Sequence, residues 1–317
     1  MTFDEFKEEW FNTGESVSVN TSGSTGSPKT IQLDKEFLRE SAARTNSFFH
    51  INASSRLHSC VGADFIGGKM MAVRAWESGA KFSWEKPSNS PLNGIGDEET
   101  IDLLAVVPSQ MLGLLEKKEN LPDIKNIIIG GSAIHPELRK KIESRGLNTY
   151  ETYGMTETAS HIALRKVTEK PGPFKTLSGI TVKSGNDECL IISFKNGVEV
   201  KTNDLVKTLS DTEFFILGRK DDVIITGGKK VNPVNLEEKI APFMETDFMI
   251  AGFPDEKWGE KLVMIIEGNE KDVDLEELEK SMATILERWE LPKEIRFTSK
   301  LPRTSNGKLI RAIERIS

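Results

Sequence analysis

Mostly apolar residues recur at helical spacing behind Asp34, where Phe37, Leu38, Ala42, Thr45, Phe48 and Phe49 form one stripe. Aspartate caps helix starts, so the pattern predicts a helix from there to about His50. Residues 61–79 carry several glycines, and the run Lys69-Met70-Met71-Ala72-Val73 predicts a buried helix. Residues 86–99 are rich in Pro, Asn, Ser and Gly and read as a surface loop. Residues 102–107 and 124–129 read as buried strands, each with an apolar run at its C-terminal end. Pro108-Ser109 opens a helix after the first, and Gly130-Gly131-Ser132 ends the second. Pro136 opens a helix of about nine residues, and a further strand begins at Asn148 to Tyr150. Strands alternating with helices predict an α/β fold with a parallel sheet, whose ligands bind beyond the C-terminal strand ends. Gly130-Gly131 and Tyr153-Gly154 fall at such ends.

From about residue 175 the pattern changes to short strands and turns, such as Cys189 to Phe194 and Val198 to Lys201. A domain boundary is placed at 218, giving a large domain over 1–217 and a small α+β domain over 218–317. Within the latter, Asp274 and Glu277 resemble a capping box. The helix it opens carries Leu275, Leu278, Met282, Ile285, Leu286 and Trp289.

The chain has 317 residues and a net charge of −7, without a long basic run, which argues against nucleic acid as a partner. Two cysteines, Cys60 and Cys189, make no disulfide framework and are expected reduced and buried. The first eleven residues are acidic and mixed, unlike a signal peptide. No apolar run of about 18 residues is present to span a membrane. A cytoplasmic protein is the simplest expectation.

The most informative segment is Thr21-Ser22-Gly23-Ser24-Thr25-Gly26-Ser27-Pro28-Lys29, set between the strand-like runs 17–20 and 30–33. Glycines admit backbone N–H groups close to an anion, hydroxyls add donors and Lys29 adds charge, which suits a polyphosphate. A flexible Ser/Gly-rich turn has the same composition, so the segment alone leaves both readings open. It is not a Walker A loop, because that spacing is absent.

Three further blocks follow in order: Thr152-Tyr153-Gly154-Met155-Thr156-Glu157-Thr158, Gly218-Arg219-Lys220-Asp221-Asp222, and Pro302-Arg303-Thr304-Ser305-Asn306-Gly307-Lys308. Together with 21–29 they resemble the adenylate-forming superfamily of acyl-CoA synthetases, peptide-synthetase adenylation domains and luciferases. The likeness runs from about residue 17 to 310. It implies ATP, Mg²⁺ and CoA, with a carboxylic acid attacking the α-phosphate. By that resemblance 21–29 hold the β- and γ-phosphates, Thr156 binds a phosphate oxygen and Glu157 positions Mg²⁺. Gly130, Gly131 and Ser132 pack on adenine with Tyr153 on its other face, and Gly154 beside it is a further cofactor-binding residue. Asp204 and Arg219 contact ribose, Asp221 is the hinge and Lys308 the catalytic lysine. Gly227 and Gly228 line a pantetheine tunnel, and Trp258-Gly259 matches another segment of that domain. Asn203 replaces the family's glycine before Asp204, which is tolerated if it adopts a left-handed conformation. Without the resemblance, Thr156-Glu157-Thr158 reads as a helix start, Gly130-Gly131 as an ordinary turn, and Asp204 and Lys308 as solvated charges.

Two departures bear on function. About twenty residues precede the phosphate loop where most members carry a whole subdomain, so the large domain is read as truncated, with self-association into a homo-oligomer as one replacement. The family's frequent histidine is absent from Asp64-Phe65-Ile66-Gly67-Gly68, and Lys69-Met70-Met71 follows. With the segment 155–164, this is similar to the compact o-succinylbenzoate–CoA ligases of menaquinone synthesis. Such a substrate has two carboxylates, and Lys69, Ser160 and His161 are the candidates for holding the one that is not activated. A snorkelling Lys69 and a core His161 are the alternatives. Other aryl or fatty acids, a carrier-protein thiol as acceptor, and an inactive nucleotide-binding relative are the rival functions.

Overall fold

A computed structural model describes residues 1–20, 30–93, 95–96, 99–117, 121–303 and 309–311. The chain forms two compact units, one of Met1–Val182, Ser193–Val200 and Ser210–Phe214, the other of Lys183–Ile192, Lys201–Leu209 and Phe215–Ser317.

In the first unit, five parallel strands stand in the spatial order Lys81–Trp84, Arg56–Ser59, Leu103–Val106, Ile127–Ile129 and Thr149–Met155. The apolar runs Leu103 to Val106 and Ile127 to Ile129 are buried throughout, as strands covered on both faces require. The sheet then departs from the all-parallel expectation. After Met155 the chain reverses through a tight turn and returns as Ser160–Lys166, antiparallel to its predecessor, followed by Phe174–Thr176. A reversal this short allows only antiparallel pairing, because a parallel return needs a long crossover.

Helices α1 (Phe3–Phe11), α2 (Lys35–Phe49) and α3 (Ile66–Ser78) share one apolar cluster, built on Phe6, Trp10, Leu38, Ala42, Met70 and Val73. Helices α4 (Pro108–Glu116) and α5 (Pro136–Ser144) share another with Leu104, Val106, Ile127 and Ile129. Helix α2 starts where the sequence places it, with the Asp34 carboxylate accepting from the Phe37 amide at 3.1 Å. Its stripe is narrower than predicted: Phe48 is 45 % exposed, edge-on to Phe49 and Tyr150 at the surface. Within the stretch read as a surface loop, Leu92 is buried in the second cluster.

The second unit has a sheet in the order Lys229–Val231, Ile224–Thr226, Gly259–Glu267, Phe248–Asp255, with Glu294–Thr298 parallel to Gly259–Glu267. Helices α6 (Pro233–Ile240) and α7 (Leu275–Ile285) bury Leu236, Ile240, Leu278 and Met282 against it. The Asp274 carboxylate caps α7 by accepting from the Glu277 amide at 3.1 Å. Ile285, the last residue of the helix, and Trp289 beyond it, both predicted on the buried stripe, are exposed, whereas Leu286 is buried. Both cysteines are free and buried. No described helix is long and apolar enough to cross a membrane.

Candidate active site

The strand ends of the first unit bring several predicted residues together. Gly130, Gly131 and Ser132 follow strand Ile127–Ile129 directly, and Thr152 in the next strand donates to the Ile129 carbonyl at 3.1 Å. A Cβ on Gly130 would lie 2.7 Å from the Thr152 hydroxyl, so the turn hugs its neighbour. The Tyr153 ring packs on Phe174 and Phe214, with centroids 5.8 and 5.4 Å away. A Cβ on Gly154 would sit 2.1 Å from the Ser160 carbonyl oxygen, a backbone collision that excludes every other residue.

The turn from Tyr153 to His161 is strained and well braced. Thr156–Thr158 form one 3₁₀ turn, with Thr156 buried and Glu157 exposed. Ala159 and Ser160 follow at φ 53° and 81°, two successive non-glycine residues in a region that costs each of them free energy. The Thr158 hydroxyl accepts from the Met155 amide at 2.9 Å and lies 2.8 Å from the Ser160 carbonyl; Ser41 of α2 donates to the Ala159 carbonyl at 2.8 Å. Such strain survives only where the surroundings over-determine it, which is a mark of functional turns.

Behind the turn sits a charged group that no sequence motif singles out. Arg74 of α3 is 1 % exposed, with Nη2 3.5 Å from the Ser160 hydroxyl and 3.4 Å from His161 Nδ1. Among the described residues no carboxylate lies within ion-pairing distance of it, and its Nε has no hydrogen-bond partner. Burial lowers its pKa to about 9, so it remains charged at neutral pH. Arginine only donates, which fixes the tautomer of its neighbour: His161 Nδ1 accepts, and Nε2 carries the proton toward Thr45 Oγ1 at 3.0 Å. Burial first, and then the Arg74 charge, push His161 well below its usual range.

A pH effect follows. The unfolded chain binds a proton at His161 near pH 6.5, and the folded chain does so only at much lower pH. This group's contribution to stability is therefore present above about pH 6.5 and lost as pH falls. His161→Gln is expected to flatten the acid limb of the Tm–pH curve below about 6.5. An unchanged acid limb would contradict the buried neutral imidazole.

Lys69 is placed elsewhere. It is 2 % exposed, with Nζ 4.0 Å from the Phe6 ring centroid and 3.9 Å from the Glu9 carboxylate of α1. It makes no described contact with Ser160 or His161, and it is not the snorkelling surface residue of the alternative reading.

In the second unit, Arg219 Nη1 donates to Asp204 at 3.1 Å and Nη2 to Asp221 at 3.1 Å, while Asn203 donates to Asp221 at 3.0 Å. Asp204, Arg219 and Asp221 therefore form one network. Asn203 lies within the extended strand Glu199–Thr208 and outside the positive-φ residues, so the left-handed conformation expected of it is not adopted. Its side chain is instead used to hold Asp221. Gly227 and Gly228 join strands Ile224–Thr226 and Lys229–Val231, and the Gly227 amide donates to the Trp258 carbonyl at 2.9 Å. Trp258 is 38 % exposed, so it is not a core residue. Thr21, Ser22, Gly23, Ser24, Thr25, Gly26, Lys29 and Lys308 lie outside the described residues.

Residues 19–204 match the family model described as AMP-binding enzyme, and 246–308 match AMP-binding enzyme C-terminal domain. The chain is 26 % identical to the 2-succinylbenzoate–CoA ligase of Lactococcus lactis, over 93 % of this chain and 69 % of that protein. An acyl-CoA synthetase (AMP-forming)/AMP-acid ligase II-like protein from Dyadobacter fermentans is 30 % identical, with a TM-score of 0.63 over 98 % of this chain and 92 % of that one. The o-succinylbenzoate CoA synthetase of Bacillus subtilis, solved with its acyl-adenylate intermediate, shares the fold at a TM-score of 0.79 and 21 % identity, over 93 % of this chain and 67 % of that one.

Proposed function

We propose a substrate on the premise that this chain belongs to the AMP-binding enzyme family and is an acid–CoA ligase working through an acyl-adenylate. The acid is an aromatic dicarboxylate, with o-succinylbenzoate the best fit, and the products are its CoA thioester, AMP and pyrophosphate. One observation carries this reading: Arg74 is a buried cation without a described acidic partner, beside Ser160 and His161. An isolated buried charge is costly, and a substrate carboxylate supplies the missing anion. The relative from Lactococcus lactis, a 2-succinylbenzoate–CoA ligase, supports the same choice.

The remaining residues have assignable work in this reading. Residues 21–29 and Thr156 hold the phosphates. Mg²⁺ supplies charge neutralisation on the phosphates, and the exposed Glu157 carboxylate suits it as an oxygen ligand. Gly130, Gly131, Ser132 and Tyr153 receive adenine. Asp204, oriented by Arg219, accepts hydrogen bonds from the ribose hydroxyls. Lys308, in the domain placed from residue 218 onward, stabilises the charge that develops as the carboxylate attacks. Lys69 keeps no substrate role here, because α1 already engages it.

The test is ATP–pyrophosphate exchange driven by o-succinylbenzoate and by its two monoacid analogues, each keeping one carboxylate. The diacid is expected to be favoured by about 10²-fold or more in kcat/KM. Equal exchange with a monoacid would remove the dicarboxylate from the proposal. Asp204→Asn is expected to raise the KM for ATP about 10-fold to 100-fold while the KM for the acid stays put. An unchanged KM for ATP would separate Asp204 from ribose binding.

A further inference from the structure

Three side chains with metal-binding atoms converge at the ends of two neighbouring parallel strands. His58 and Cys60 are two residues apart, which places them on one face of extended chain. Ser59 pairs with Trp84 in the next strand, and the Glu85 amide donates to the Ser59 carbonyl at 3.2 Å, which brings Glu85 alongside. One ligand atom from each of His58, Cys60 and Glu85 lies within 4.8 Å of the others. His58 and Cys60 are 2 % and 0 % exposed.

The group is held in place by its surroundings. His58 Nδ1 lies 2.9 Å from the Ser83 hydroxyl, which itself donates toward the Leu57 carbonyl at 3.5 Å. In the tautomer with the proton on Nδ1, Ser83 accepts from it and His58 Nε2 presents a lone pair as a ligand. That Nε2 is buried without a hydrogen-bond partner, 3.9 Å from the Glu85 carboxylate. The Leu92 amide donates to both Glu85 oxygens, at 2.9 and 3.0 Å, from a residue held at φ 62°. Gln110 donates to the Cys60 carbonyl at 2.7 Å.

We propose that His58 Nε2, Cys60 Sγ and a Glu85 carboxylate oxygen bind one zinc-class divalent transition metal. A nitrogen, sulfur and oxygen donor set selects such ions over Mg²⁺ or Ca²⁺, which take oxygen ligands. Three protein ligands leave the fourth tetrahedral position to water. As the metal–sulfur bond forms, the Cys60 thiol loses its proton to solvent. The thiolate and the carboxylate then cancel the ion's two positive charges, so the buried site is neutral. Bridging two strand ends, the ion stabilises the first unit. The Ser83 bond to Nδ1 is the outer contact that such a ligating imidazole needs.

The test uses the full chain, stripped with a chelator and titrated with Co²⁺ alone. A near-ultraviolet thiolate-to-cobalt charge-transfer band is expected, saturating at about one equivalent. Cys60→Ser abolishes it, Cys189→Ser leaves it, and His58→Ala weakens Co²⁺ binding at least about tenfold. Zn²⁺ raises the Tm of the wild-type chain and not that of Cys60→Ser. A wild-type chain without the band, or a band surviving in Cys60→Ser, overturns the site. If Cys60→Ser does not fold, X-ray absorption on the zinc-loaded wild type decides: a sulfur neighbour supports the site, and an all-nitrogen/oxygen shell overturns it. None of these readouts depends on ligase activity.

Discussion

Replacing Arg74 by methionine lowers kcat/KM for o-succinylbenzoate by about 10²-fold to 10³-fold and leaves the KM for ATP unchanged. Methionine keeps most of the aliphatic volume and removes the charge. A substrate carboxylate entering beside Ser160 and His161 then meets no cation in a dry site, where the lost pairing is strong. Exchange with the monoacid analogues falls much less, because they never used the guanidinium fully. Stability separates this from a structural role. Arg74 has no described acidic partner, so removing its charge relieves a buried cation, and the Tm of the ligand-free variant is expected at or above that of the wild type. A lower Tm together with equal losses for all acids would return Arg74 to the core. Arg74→Lys is expected to recover only part of the activity, since an ammonium does not reproduce the guanidinium fork.

Lys308→Ala lowers acyl-adenylate formation by about 10²-fold to 10³-fold, comparable to removing a preorganised donor from a developing anion. Thioester formation from preformed acyl-adenylate is expected to change much less, because the α-phosphate charge no longer builds up in that step. Single-turnover measurement of each half-reaction checks this. Equal losses in both would contradict a lysine used in adenylation alone.

Much of the fold is legible in the sequence for identifiable reasons. The Asp34 cap, the Pro108 and Pro136 helix starts and the strand-ending glycines are local signals, and local physics decides them. The antiparallel return after Met155 is not legible, because it depends on a one-turn reversal at positive φ from Ala159 and Ser160, which are not residues that advertise such a conformation. The cation beside Ser160 and His161 differs from the expected Lys69 for a geometric reason. Lys69 and Arg74 both belong to α3, but five residues rotate a helix by about 140° from one to the other, so only Arg74 meets the strand carrying Ser160 and His161. An arginine inside the run Met70 to Ala75 is the available signal. The family position of Asn203 suggests a left-handed residue, and its strand setting explains why it needs no such backbone. The grouping of His58 and Cys60 with Glu85 rests on strand pairing across about 25 residues and has no local mark.

The most direct measurement is mass spectrometry of the products formed from ATP, Mg²⁺, CoA and o-succinylbenzoate by the purified chain. The expected products are o-succinylbenzoyl-CoA with AMP, and the acyl-adenylate when CoA is omitted. ADP in place of AMP, or no acyl product from this acid while another acid is turned over, would contradict the proposed reaction.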